Sequence, residues 1–372
     1  MVLKHGSVLT PSGLINTDIV LENGIIAYIG ETEHNGIDCG GTTIMPGLVD
    51  THVHGAYGTE FSAPDEEFDG GLTEMAKHGI TSVCCTVRCL KQEDTYKAIK
   101  NIVKEYKRKP RGAKIEGIHL EGPFVSAKYI GSMNPACLSL PSSAEMQRLY
   151  DMSEGLLKII TIAPELEGAI ETIKTAKDLG VTVSLGHTGA DFATAERACE
   201  AGATRITHTF NAAVPFNHRS PGVLGFGLTD NRMECEVICD FIHLDPAAVK
   251  LIYLTKGEDK IHMISDSGVF AGLGDGEFIV AGKKRIVKNG MCINEEGRIA
   301  GSCYTLHQGV LNMLGRGYSF NTVSKTASLN PAKALGISKY TGTIEQGKAA
   351  DICVLDADYS AVRTFIGGIC YE

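Results

Sequence analysis

Residues 46–55 read PGLVDTHVHG, an apolar run that ends in two histidines, His52 and His54, with one residue between them. Side chains two apart on a strand leave the same face, so both imidazoles can converge on one point. Neutral imidazole nitrogens at about 2.0–2.1 Å suit a divalent transition metal. Taken alone, the pair reads equally well as two ordinary histidines beside a turn. The rest of the chain has to decide.

Outward from this stretch, short apolar runs alternate with segments of helical period. Strands are expected at 44–53, 80–87, 115–121, 158–163, 181–186, 204–209, 235–240 and 261–266, and helices at 65–78, 92–108, 143–154, 166–179, 191–201 and 245–255. The last helix opens with LDPAA, which places Asp245 as its cap and Pro246 in its first turn. Eight strands with intervening helices predict a (β/α)8 TIM-like barrel; a doubly wound sheet is the structural alternative. Residues 1–46 and 341–372 have another texture, short strands between turns such as Asn23-Gly24. Strands this short need partners, so both ends are expected to pair into a small β-sandwich domain beside a barrel spanning 47–340.

Composition narrows the function classes. The chain has 372 residues, enough for a barrel with an appendage, and a formal net charge of -9. With a pI of 5.8 it carries no basic footprint, and the run KEYKRKPRG (104–112) reads as a solvated helix end, so nucleic acid is not expected as a partner. The N-terminal MVLKHGSVLTPSG lacks the layout of a signal peptide, and no uninterrupted apolar stretch is long enough to cross a bilayer, so a cytoplasmic protein without a membrane partner is expected. The 12 cysteines include no Cys-x-x-Cys and are expected to be reduced thiols.

In a barrel, chemistry collects at the C-terminal ends of the strands. The first strand ends in His52 and His54, the third in HLEGP with Glu121, the fifth in LGHTGA with His187, the sixth in THTFNA with His208, and the eighth in ISDSG with Asp266. Four imidazoles and two carboxylates suffice for one or two divalent ions; the mixed N/O set favours zinc, with iron, manganese, cobalt or nickel as alternatives. An ion with an open position brings the pKa of coordinated water towards about 7, which is hydrolytic chemistry, and Asp266 beside it could carry the proton to a leaving amine. The bland readings are a turn cap for Glu121, a loop histidine for His187, a hydrogen-bonded core residue for His208 and a helix cap for Asp266. His119, two residues before Glu121 on the same face, is expected to pack or to support a ligand. His5, His34, His78, His218, His262 and His307 are taken as structural or surface residues.

In order and spacing, PGLVDTHVHG, HLEGPF, LGHTGA, THTFNA, SPGVLG, SDSG and AGS resemble the amidohydrolase superfamily, and within it the N-acetylglucosamine-6-phosphate deacetylase family, over essentially the whole chain. The resemblance implies Glu121, His187 and His208 as principal metal ligands, His52 and His54 as support for a second ion, and Asp266 as general base and acid. TIAPE at the end of strand four offers no lysine for a carbamylated bridge, so Glu121 would take that place. The resemblance further implies that Asn211 and Ala212 contact a phosphate, that Arg219 binds phosphate across a homodimer interface, and that His243 orients the substrate. The implied substrate is an N-acetyl amino sugar phosphate, most simply N-acetylglucosamine-6-phosphate; the alternatives are N-acetylgalactosamine-6-phosphate, an unphosphorylated N-acetyl sugar or another small amide. Three positions depart from the family pattern. Met133 stands where a histidine is usual, Phe241 replaces the glycine after Asp240, and Ser267-Gly268 follow Asp266, so an altered sugar and phosphate pocket is expected around Met133 and Phe241.

Overall fold

The computed structural model describes residues 1–280, 283–295 and 297–372. Eight parallel strands, Leu48–Val53, Ile80–Val87, Lys114–Glu121, Leu157–Ile162, Thr182–Leu185, Ala203–Ile206, Glu234–Ile238 and Ile261–Ile264, are hydrogen-bonded side by side in chain order. The ring closes at its C-terminal rim, where Asp266 N donates to His52 O and His54 N donates to Ser267 O, each at 2.9 Å. An unbroken strand order that closes on itself is the (β/α)8 barrel; a doubly wound sheet would reverse direction at a switch point.

The helices Asp69–Lys77, Gln92–Arg108, Ser143–Met152, Ala169–Asp178, Phe192–Ala201 and Pro246–Lys256 surround the barrel. Asp245 caps the last of these by accepting from Ala247 N at 2.8 Å, and Asp191 caps the helix at 192 by accepting from Thr194 N at 2.7 Å. Outward-facing Val83, Cys85, Ile118 and Leu120 pack with Ile99 and Ile102 of the second helix in one continuous core. Inward-facing Val49, Cys84 and Ile159 meet Ala332 and Leu335, which plug the N-terminal end of the barrel. Chemistry is thereby confined to the other rim.

Three details differ from the sequence expectations. The run 44–53 is two strands: Thr43–Pro46 pairs with Ile352–Leu355 of the terminal sheet, and Leu48–Val53 enters the barrel. Gly47 is the switch, donating to Asp351 O at 3.0 Å while Leu48 N already donates to Gly79 O at 2.9 Å. A Cβ at Gly47 would lie 2.2 Å from Thr81 Cγ2, so this crossing needs glycine. Strands five, six and eight also end earlier than expected, which puts His187, His208 and Asp266 on the loops just beyond, with φ of 48°, 27° and 48°. Left-handed backbone at non-glycine residues costs about 1–3 kcal/mol each and persists where the surroundings impose it. Finally, the stretch assigned to the barrel contains an antiparallel sheet of Gly276–Val280, Lys283–Lys288, Met291–Asn294 and Ile299–Ser302, with its own core of Phe270, Val280, Val287, Cys292, Ala300 and Cys303.

Both ends of the chain contribute to a further sheet in the spatial order Ile369–Tyr371, Ala361–Ile366, Ile352–Leu355, Thr43–Pro46, Val2–Thr10, Gly13–Glu22 and Ile25–Ile29, with Ile37–Asp38 also on Val2–Thr10. Its edge strand Ile25–Ile29 is tied to the segment that leads into Ile352–Leu355: Ile26 N donates to Lys348 O and Gly347 N donates to Ile26 O, each at 2.8 Å. Leu3, Ile19, Ile44, Ile352 and Phe365 fill the space enclosed.

Candidate metal centre and substrate cavity

His52, His54, Glu121, His187, His208 and Asp266 converge at the open rim. Glu121 Oε1 lies 3.1 Å from His187 Nε2 and 3.0 Å from His208 Nε2, and these two nitrogens are 3.1 Å apart. On the other side, Glu121 Oε2 is 3.3 Å from His54 Nε2, and Asp266 Oδ1 is 3.2 Å from His54 Nε2 and 3.4 Å from His52 Nε2. Glu121 thus belongs to two groups, Glu121/His187/His208 and His52/His54/Glu121/Asp266, each with ligand atoms within 4.8 Å of one another. A carboxylate shared in this way can bridge two ions or bind one.

The donor set fits a cation on chemical grounds. His187 Nδ1 is 2.8 Å from Tyr129 O, which can only accept, so Nδ1 carries the proton and Nε2 presents a lone pair to Glu121 and His208. His52 Nε2 is buried with no hydrogen-bond partner. Lone pairs crowded against a carboxylate need a positive charge between them. Without a metal, protons supply it. Burial opposes the charged form of His52, yet Asp266, Glu121 and Glu236 outweigh it and push the pKa well above the ordinary imidazole value. Burial likewise opposes the Glu121 carboxylate, but His187, His208, His52 and His54 hold it well below its usual range.

Beneath the rim lies a second layer that sequence reading missed. Glu236 Oε2 is 3.0 Å from His52 Nδ1 and accepts from His208 N at 3.3 Å, with both side chains of the His52–Glu236 pair at 0% exposure. Its other oxygen is 3.7 Å from Arg205 Nη1, and Arg205 Nη2 lies 3.4 Å from Glu234 Oε2, which is 2.8 Å from His262 Nε2. The sequence did carry a signal: Glu234 and Glu236 stand two apart on strand seven and so share one face, here the barrel interior, with Asp240 just beyond the strand's end. His119 Nε2 meets Thr161 Oγ1 at 2.9 Å, its ring 4.4 Å from that of His52; burial first, then His52, depresses its pKa to about 3 and keeps it neutral. His262 joins this interior network rather than the surface.

Above the rim is a cavity of about 390 Å³, lined by the open faces of the cluster, by Asn211, Ala212 and His243, and by the overhanging sheet through Val280, Arg285 and Ile299. His243 Nδ1 is 2.7 Å from Asp240 Oδ2, which also accepts from Ser302 Oγ at 3.2 Å, so the ring is held with Nε2 left for a ligand. Burial works against charge on both partners, but the pairing raises the His243 pKa and lowers that of Asp240. Arg219 is not brought to the cavity of its own chain: it sits in the exposed loop 215–220.

The sequence profile described as "Amidohydrolase family" matches residues 43–370. The N-acetylglucosamine-6-phosphate deacetylase of Bacillus subtilis (strain 168) is 35% identical over 88% of this chain and 84% of its own length. The N-acetylgalactosamine-6-phosphate deacetylase of Escherichia coli O157:H7 is 30% identical over 99% of this chain and 98% of its own. A mutant N-acetyl-D-glucosamine-6-phosphate deacetylase from Mycobacterium smegmatis, solved with N-acetyl-D-glucosamine-6-phosphate, superposes with a TM-score of 0.94 at 29% identity, covering 100% of this chain and 99% of that one. The chain belongs to the amidohydrolase family and, within it, to the N-acetylglucosamine-6-phosphate deacetylase family.

Of the departures from the deacetylase pattern, Met133 lines the cavity, but Phe241 does not. The expectation that Phe241 alters the substrate pocket is therefore corrected. Its φ of 60° turns the side chain out of the site, where the Arg316 guanidinium lies 4.9 Å from its ring. The deacetylase fold has no helix among the described residues long and apolar enough to cross a membrane.

Proposed function

We infer that this chain hydrolyses the acetamide of N-acetylglucosamine-6-phosphate, releasing acetate and glucosamine-6-phosphate. The observation that carries the reading is the bifocal cluster about Glu121, open on one side to a cavity sized for one small ligand. The names of the family relatives and of the sugar phosphate bound in the Mycobacterium smegmatis structure support the choice of substrate.

Glu121, His187 and His208 would hold the principal ion, and His52 and His54 would hold a second; an all-N/O donor set favours zinc. Such an ion supplies Lewis acidity, polarising a carbonyl and lowering the pKa of a coordinated water. The residues do the rest. Asp266 Oδ1, facing both metal-side histidines, takes the proton of the attacking water and returns it to the amide nitrogen as the C–N bond breaks. His243, oriented by Asp240, holds a sugar hydroxyl through Nε2, and Asn211 with Ala212 flanks the phosphate.

A homodimer is part of the proposal. The loop 215–220 carries Arg219 together with Phe216, which is 53% exposed, a pairing suited to a partner subunit. All 12 cysteines are unpaired, which supports a reducing, cytoplasmic setting. The test is acetate release from N-acetylglucosamine-6-phosphate, its galacto epimer and unphosphorylated N-acetylglucosamine, before and after chelation. The reading expects the gluco phosphate to be turned over fastest, with loss on chelation and recovery with zinc. Turnover that survives full metal removal, or faster turnover of the galacto epimer, would sink it.

A further inference from the structure

Two guanidinium groups face the cavity, and they differ in their partners. Arg88 Nη2 is 3.0 Å from Glu60 Oε1, and both residues line the cavity, so that charge is compensated internally. Arg285 is half-buried on the strand Lys283–Lys288 of the overhanging sheet and lines the same cavity. Its Nη1 donates to Lys284 O at 3.3 Å, and among the described residues no carboxylate pairs with it. A cation partly withdrawn from water without a counter-charge is costly, and an arriving anion removes that cost.

Its place in the cavity matters as well. Strand pairing sets Arg285 beside Phe278 on one side and Asn294 on the other, so its backbone is held by two ladders. Arg285 and His243 line one and the same cavity. Met133, whose thioether donates no hydrogen bond, lines this cavity where the family usually has a histidine. The same cavity therefore carries a thioether at that position and a guanidinium that, among the described residues, no carboxylate pairs with.

We propose that Arg285 is a specificity residue of this chain, binding the substrate phosphate from within the same subunit as the metal cluster. The inference rests on the phosphosugar reading above and assigns to an intrachain arginine the task that family resemblance gives to Arg219. A planar guanidinium matches two phosphate oxygens at once, whereas lysine offers a point charge.

The experiment compares metal-loaded wild type, R285M, R285K and R219M in kcat/KM for phosphorylated against unphosphorylated N-acetylglucosamine, and in calorimetric titration with inorganic phosphate. Expected is a fall of about 10- to 100-fold in the phosphate preference of R285M, a smaller fall in R285K, and a parallel loss of phosphate affinity. An unchanged preference and unchanged phosphate affinity in R285M, with collapse in R219M, would overturn the proposal. Should R285M fail to fold, R285K carries the same comparison. If wild type releases acetate from neither sugar, the deacetylase reading fails, while the phosphate titrations still decide whether Arg285 binds the anion.

Discussion

Replacing Glu236 by Gln exchanges one buried oxygen for an amide nitrogen and should loosen the metal centre from below. One carboxylate oxygen serves His52 Nδ1 at 3.0 Å and His208 N at 3.3 Å, while the other faces Arg205 Nη1 at 3.7 Å. The carboxylate accepts on both sides; an amide can turn its carbonyl to only one. With the carbonyl towards His52, the NH₂ group meets the donors of Arg205. With the NH₂ towards His52, the ring loses the acceptor that fixes its tautomer and leaves Nε2 for a ligand. Loss of such a supporting partner costs about 10- to 100-fold in metal affinity. That corresponds to about 1.4–2.7 kcal/mol. Breaking a buried pair outright costs about 3–5 kcal/mol, but Arg205 keeps Glu234 at 3.4 Å, so a loss of about 2 kcal/mol in the metal-free protein is the reasoned value. Competition with a chromophoric chelator gives the affinity, and urea unfolding gives the stability. Metal affinity and unfolding midpoint both equal to wild type would refute the idea that Glu236 holds His52 in place.

Asp266→Asn should lower turnover by about 10²- to 10⁴-fold, the usual contribution of a general acid–base, with zinc content by atomic absorption unchanged because Glu121, His187 and His208 remain. Glu234→Gln tests the interior network through pH. Burial opposes the Glu234 charge, but the His262 hydrogen bond and Arg205 bring its pKa from 4.5 to about 2. A folded pKa below the unfolded one stabilises above pH 4.5 and loses that contribution as pH falls towards 2. With Glu234 partly exposed and His262 held neutral by burial and Arg205, the variant should be less stable by about 1–2 kcal/mol at pH 7, a gap that closes by about pH 2–3 in urea titrations. A gap independent of pH would mean that charge is not its source. Phe241→Leu should leave kcat/KM within about twofold, because the ring lies outside the cavity; a large change in substrate preference would restore Phe241 to the pocket.

Much of the architecture could be read locally. Apolar runs of strand length alternating with amphipathic segments demand a parallel sheet covered by helices, and helix starts such as Asp191 and Asp245 are written in one or two residues. The four-stranded sheet over the rim was harder to see. Its strands are short, and Ile279 and Ile286 stay exposed, so no clear alternation marks them. The early ends of strands five, six and eight were also hidden, because the left-handed turns at His187, His208 and Asp266 are imposed by neighbours rather than by glycine or asparagine.

What the sequence determined by itself was the barrel and the supply of donors at its rim, since apolar runs of strand length and strand-end position are properties of a few adjacent residues. Tertiary structure alone decided which donors share Glu121, since His52 and Asp266 are 214 residues apart and meet through the closing hydrogen bond from Asp266 N to His52 O at 2.9 Å. It also decided that Glu236 supports His52, that Phe241 turns away, and that Arg285 looks into the cavity. Each of these depends on where strands stand around a closed ring, and that angle is set by the whole barrel and by no local stretch of chain.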